Sequence, residues 1–197
     1  NTTIDIKNFS YNNFIASDLS GIISCKNGQI NGSSLTAHSL NGEIVGSFTL
    51  TEPISNNLKL VSNIAAKEIN IRNSFDAFNN YGQTFIINDQ LKGVGSAELN
   101  IESHWKPNFV LDKNKLKINS HLIIEKGELI DFKPLEKLSS YVSLDELKHV
   151  KFSTLENTIN VANEVVTIPT MEIKSSAISV FLSGTQTFNQ EINYEIT

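Results

Sequence analysis

The sequence predicts a mainly β fold, an elongated and curved antiparallel β-meander. Two short helical segments, about 73–81 and 134–148, are expected to pack on the sheet or cap it. Period-two alternation carries this reading. In Lys115–Ile124 the even positions are mostly apolar; Ala97, Leu99 and Ile101 alternate with Ser96, Glu98 and Asn100. Ile178, Val180 and Leu182 form one face near the end of the chain, and Ile192, Tyr194 and Ile196 another. A strand points successive side chains to opposite faces, so each run is a strand with one apolar and one wetter side. Dipeptides suited to turns punctuate the runs: Asn27-Gly28, Asn31-Gly32, Asn41-Gly42, Lys126-Gly127 and Ser183-Gly184. Asn-Gly favours hairpins because both residues tolerate positive φ.

The first helical segment places Phe75 and Phe78 a turn apart, with Asn73 or Ser74 as a cap and Gly82 as a stop. In the second, Pro134 suits a first turn and Leu135, Leu138 and Val142 share a face. Ser143-Leu144-Asp145-Glu146 then reads as a capping box that restarts the helix, with Leu144 and Leu147 apolar. Helices this short need an apolar surface to pack on, and the sheet supplies it. Residues 27–50 and 163–188 echo each other: Asn27, Leu35 and Ser39 align with Asn163, Met171 and Ser175 at a constant offset. No linker or charge block divides the chain, so residues 1–197 are expected to form a single β-rich domain.

Composition narrows the function classes. The 197 residues are 40% hydrophobic and 19% charged, with a net charge of −5 and no basic block. That disfavours nucleic acid as a partner, which needs a concentrated basic face. No apolar run reaches the length of a membrane-spanning helix. The start, Asn1-Thr2-Thr3-Ile4, carries no initiator Met and no leader, and reads as a fragment or processed product of a larger parent. The single Cys25 excludes an internal disulfide and reads as a small, half-buried residue.

Reactive constellations are sparse. His38, His104, His121 and His149 lie in separate segments without metal-ligand spacing, so no metal is expected. His38 and His121 read as solvated sheet residues, and His149 as a partner of a helix C-terminus. Gly93-Val94-Gly95 opens a strand rather than a helix and reads as a bulge or turn. Glu125, Glu128 and Asp131, placed around a hairpin, could imitate a glycosidase pair, and Trp105 with Tyr81 or Tyr141 a sugar platform. Solvation and rim packing account for these residues more simply. No catalytic residue and no cofactor is assigned, and the chain is read as non-enzymatic.

Residues 93–104, Gly-Val-Gly-Ser-Ala-Glu-Leu-Asn-Ile-Glu-Ser-His, precede the alternating strand 115–124. Lys126-Gly127-Glu128-Leu129-Ile130-Asp131-Phe132-Lys133-Pro134-Leu135 follows, then Phe152–Val161, Val166-Thr167-Ile168-Pro169 and Leu182-Ser183-Gly184. This order resembles the C-terminal domain of AsmA-like proteins, best over 90–197. The resemblance implies a β-rich body in the periplasm of a Gram-negative bacterium, whose parent is anchored in the inner membrane. AsmA-like proteins are similar in architecture to TamB-type and other bridge-like lipid transfer proteins. The implied role is outer-membrane homeostasis and assembly, through phospholipid transport between membranes. Phospholipid or another apolar ligand, the remainder of the parent chain and envelope proteins are the implied partners. Leu99, Ile101, Leu116, Ile118, Leu122, Ile178, Val180 and Leu182 are the candidate groove or core lining. The alternatives are a closed β scaffold that pairs through its edge strands, and a domain that binds or cleaves envelope glycans.

Overall fold

A computed structural model describes residues 1–54, 57–140, 143–176 and 179–197. The strands are β1 (Thr2–Tyr11), β2 (Phe14–Lys26), β3 (Gln29–Ser39), β4 (Gly42–Ile54), β5 (Asn57–Asn70) and β6 (Leu91–Lys106). They continue as β7 (Val110–Leu111), β8 (Lys117–Ile130), β9 (His149–Ala162), β10 (Val165–Lys174), β11 (Ser179–Thr187) and β12 (Ile192–Ile196). All belong to one 12-stranded sheet in which spatial order follows chain order, with the short β7 hanging from β6. Every pairing is antiparallel. The mainly β meander expected from the alternation is the fold.

Asn27 and Gly28, at φ 53° and 72°, make the β2–β3 turn, as their chemistry requires. At the next turn Leu40 and Asn41 take the positive φ and Gly42 opens β4. Three other glycine dipeptides correct the sequence reading, because they lie inside strands. Asn31-Gly32 sits within β3, Lys126-Gly127 within β8 and Ser183-Gly184 within β11. A Cβ on Gly127 would stand 1.9 Å from a Phe152 ring atom, and one on Gly32 would stand 2.3 Å from the Phe48 ring. Each glycine makes room for an aromatic ring lying across the neighbouring strand. The two echoing segments are the β3–β4 and β10–β11 hairpins. Each carries a register shift at the same offset, between Gly32 and Leu35 and between Ile168 and Met171. Gly93 lies at the Lys92/Val94 register shift, the bulge expected there.

The first helical segment starts two residues earlier than the spacing suggests, and both segments are broken into short pieces. Helix α1 spans Ile71–Ala77, and its N-cap is Asn70, whose side chain accepts a 3.0 Å hydrogen bond from the Asn73 N–H. A 3-10 turn, Asn79–Gly82, completes the segment. The second segment is a 3-10 stretch, Lys133–Leu138, and a five-residue helix α2, Leu144–Lys148, capped by Ser143 as its box predicts. Leu147 is 3% exposed, whereas Leu144 is 54% exposed and turns outward. Val142, Tyr141 and the side chain of Leu138 lie outside the described residues.

The insertion between β5 and β6 bridges distant parts of the sheet. Phe78 stacks on Phe14 of β2, with ring centroids 5.6 Å apart. Farther along the same insertion, Phe85 packs on Phe132 and on Tyr194 of β12 at 5.2 and 5.5 Å. Nine interstrand steps would separate β2 from β12 by about 43 Å in a flat sheet. Curvature toward the insertion brings both within reach of one short segment, which plugs that end. The tightly buried residues gather largely there: Ile69, Leu91, Leu147, Val150 and Phe152. Elsewhere the sheet stays open. The chain exposes 12271 Å², whereas a compact chain of its 21.8 kDa mass would expose about 9,300 Å². Among the described residues no large side chain is fully buried.

Candidate functional site

Cross-strand partners share a face, so the ladder assigns every strand residue to one side of the sheet. One row runs across the whole sheet: Thr2, Ile23, Gly32, Phe48, Ser62, Ile101, Ile118, Val161, Val166, Gln186 and Ile192. Two residues toward the plug lies Leu35, Gly46, Ile64, Leu99, Ser120 and Ile159. The next row is Ala37, Ile44, Ala66, Ala97, Leu122 and Asn157. Together these rows form a broad, mainly apolar surface. Its few polar members are largely satisfied locally. Ser120 donates to the Ile159 carbonyl at 2.7 Å, and Asn157 Nδ2 donates to the Pro169 carbonyl at 3.0 Å. At the end away from the plug, Leu58, Trp105 and Leu111 close the surface, and Trp105 Nε1–H donates to Ser103 Oγ at 3.0 Å.

Leu99, Ile101, Ile118 and Leu122 therefore lie together on the apolar face, all half-buried. Leu182 pairs with Met171 and Ile196, and Val180 with Ile173, in the β10–β12 part of the same sheet. Leu116 is half-buried at the entry to β8. Ile178 lies outside the described residues. Sequence reading missed Phe48, Ile64, Ile159 and Val161, which complete the rows; their own alternation within β4, β5 and β9 was the available signal.

The reverse face is polar. Its central row is Ser47, Asn63, Asn100, Asn119, Asn160, Thr167, Thr185 and Asn193. A cleft of about 1000 Å³ borders this side, lined by His38, Glu43, Lys67, Glu98, His121 and Glu125 among others, and by none of the described residues of the candidate apolar lining. A twisted sheet is saddle-shaped, so each face is concave along one diagonal. Among the described residues no group of three His, Cys, Asp or Glu is placed to hold a metal ion.

The residues considered for glycan chemistry do not come together. Glu125 lines the cleft, whereas Glu128 and Asp131 do not. Glu128 accepts from His149 Nδ1 at 2.8 Å and from Lys92 Nζ at 3.1 Å. Those two bonds, His149 first, hold its carboxyl below the ordinary range, a poor setting for a proton donor. His149 caps α2 as it enters β9, and its ring partner is this carboxylate. Trp105 lies near the C-terminal end of β6 and Tyr81 in the 3-10 turn of the β5–β6 insertion, and Tyr141 lies outside the described residues. Cys25 is exposed, contrary to the half-buried position expected, because the β2–β3 turn carries it to the rim.

The strongest perturbation lies at that rim. Lys59 Nζ stands 2.9 Å from Glu102 Oε2 and His104 Nε2 stands 3.1 Å from Oε1. Hydrogen bonding from Lys59, then from His104, lowers the Glu102 pKa to about 2. No family model, curated protein or solved structure matches the chain.

Proposed function

We propose that this chain is an AsmA-like β module of the Gram-negative periplasm that holds phospholipid acyl chains along its apolar face. Its role is non-enzymatic, in outer-membrane homeostasis and assembly, and its parent is anchored in the inner membrane. One observation carries the reading: rows of half-buried apolar side chains cross the sheet, and among the described residues no second layer of strands covers them. Such a face gains ~0.8 kcal/mol for each methylene it takes out of water. Gly46, Ser62 and Ser120 are small members of these rows, and the aromatic insertion stops one end. A second reading, a scaffold that pairs with other chain through its edges, rests on β1 and β12, each paired on one side only among the described residues.

Photo-crosslinking separates the two. A benzophenone amino acid placed at Leu99, Asn100 or Ile101 in protein made in bacteria samples alternate faces. Adducts with phospholipid from positions 99 and 101, and none from 100, are expected. Equal labelling at all three positions, together with no co-purifying lipid in native mass spectrometry against delipidated controls, would leave the scaffold reading in its place.

A further inference from the structure

The β6–β8 connection presents apolar side chains to solvent. Pro107 opens a 3-10 turn in which Asn108 and Phe109 take φ 67° and 59°. That left-handed backbone is rare for a bulky residue, and here it leaves Phe109 76% exposed and its neighbour Val110 56% exposed. Neither the plug nor the apolar face reaches them. Flanking this pair in sequence are three exposed lysines, Lys106, Lys113 and Lys115, while Lys117 lies opposite Glu102 in the β6–β8 ladder. Asp112 is the one acidic residue within the segment, 3.8 Å from Lys115. Glu102, on the adjoining strand, is engaged by Lys59 and His104. A chain whose net charge is −5 therefore carries a positive tip with an apolar point.

We propose that this tip docks on an anionic lipid bilayer, with Phe109 and Val110 entering the headgroup boundary and the lysines facing the lipid phosphates. The pairing of an apolar point with a basic ring is the chemistry of a charged interface over a hydrocarbon layer. A polyanion without that layer would leave Val110 and Phe109 in water. Trp105 and Leu111, at the base of the tip, also bound the apolar face, so docking sets the end of that face away from the plug against the membrane. The docking surface stands whether or not the apolar face holds a ligand.

The test is flotation of the intact chain with vesicles of phosphatidylcholine alone, and with vesicles containing one part phosphatidylglycerol to three parts phosphatidylcholine. The chain is expected to float with the anionic vesicles only, and to be released as salt rises from ~0.05 to ~0.5 M. Lys113→Glu with Lys115→Glu should weaken partitioning by at least about 25-fold. Phe109→Ser should weaken it by about tenfold. A tryptophan at the tip (Phe109→Trp, with Trp105→Phe) should shift its emission to the blue on anionic vesicles and be quenched by brominated acyl chains. Flotation that is equal on neutral vesicles, or unchanged by the tip substitutions, overturns the proposal; so does retention on duplex DNA without vesicle binding. Crosslinking of lipid from positions 99 and 101 is unaffected by the tip substitutions, so failure here and failure of the apolar-face reading are distinguishable.

Discussion

Truncating Leu99 to alanine should destabilise the protein far less than truncating Leu147, although both are leucines in contact with the sheet. Each substitution removes three carbons, about 2.4 kcal/mol of transfer energy if the side chain is wholly out of water. Leu147 is 3% exposed on α2, and the void left there stays sealed, which brings the expected cost to about 3 kcal/mol. Leu99 is half-buried on the open face, where solvent fills the space and no cavity term applies; about 1 kcal/mol is expected. Urea denaturation of delipidated protein, followed by far-ultraviolet circular dichroism, measures both. If Leu99→Ala costs as much as Leu147→Ala, the face is a sealed core and the argument for an apolar binding surface fails. Bound phospholipid adds a second readout. A ligand present at about a hundred times its Kd raises stability by ~2.7 kcal/mol, and Leu99→Ala should shrink that increment while Leu147→Ala leaves it in place.

Two further outcomes follow from local geometry. Gly127→Val should cost at least about 2 kcal/mol, since its Cβ would fall on the Phe152 ring and the buried ring must leave its seat; a urea midpoint within error of the parent would refute the close-approach account. Glu102 has a folded pKa depressed from 4.5 to about 2. Its contribution is therefore full above 4.5 and lost as pH falls toward 2. With both partners a third exposed, solvent limits that contribution to under ~1 kcal/mol. Glu102→Gln should flatten the acid limb of stability against pH by that amount, and an unchanged limb would show that the pair contributes nothing.

Alternation marked the strand character of this protein and, between bulges, which side chains share a face, because the two-residue period of an extended chain is local geometry. The same holds for the Ser143 cap and the Asn27-Gly28 turn, whose chemistry is completed within four residues. Glycine was ambiguous for a physical reason. Its missing Cβ serves a tight turn and a close approach equally well, and only Phe48 over Gly32 and Phe152 over Gly127, each brought in from another strand, decide between them. The helix boundaries moved for a related reason: Asn70 caps α1 from the end of a strand, where the apolar spacing of Phe75 and Phe78 carries no information. The curvature that joins Phe14 and Tyr194 through one insertion was decided by tertiary structure. So was the openness of the apolar face, since burial depends on what lies across space from a side chain, and the residue pattern records only that the side chain is apolar.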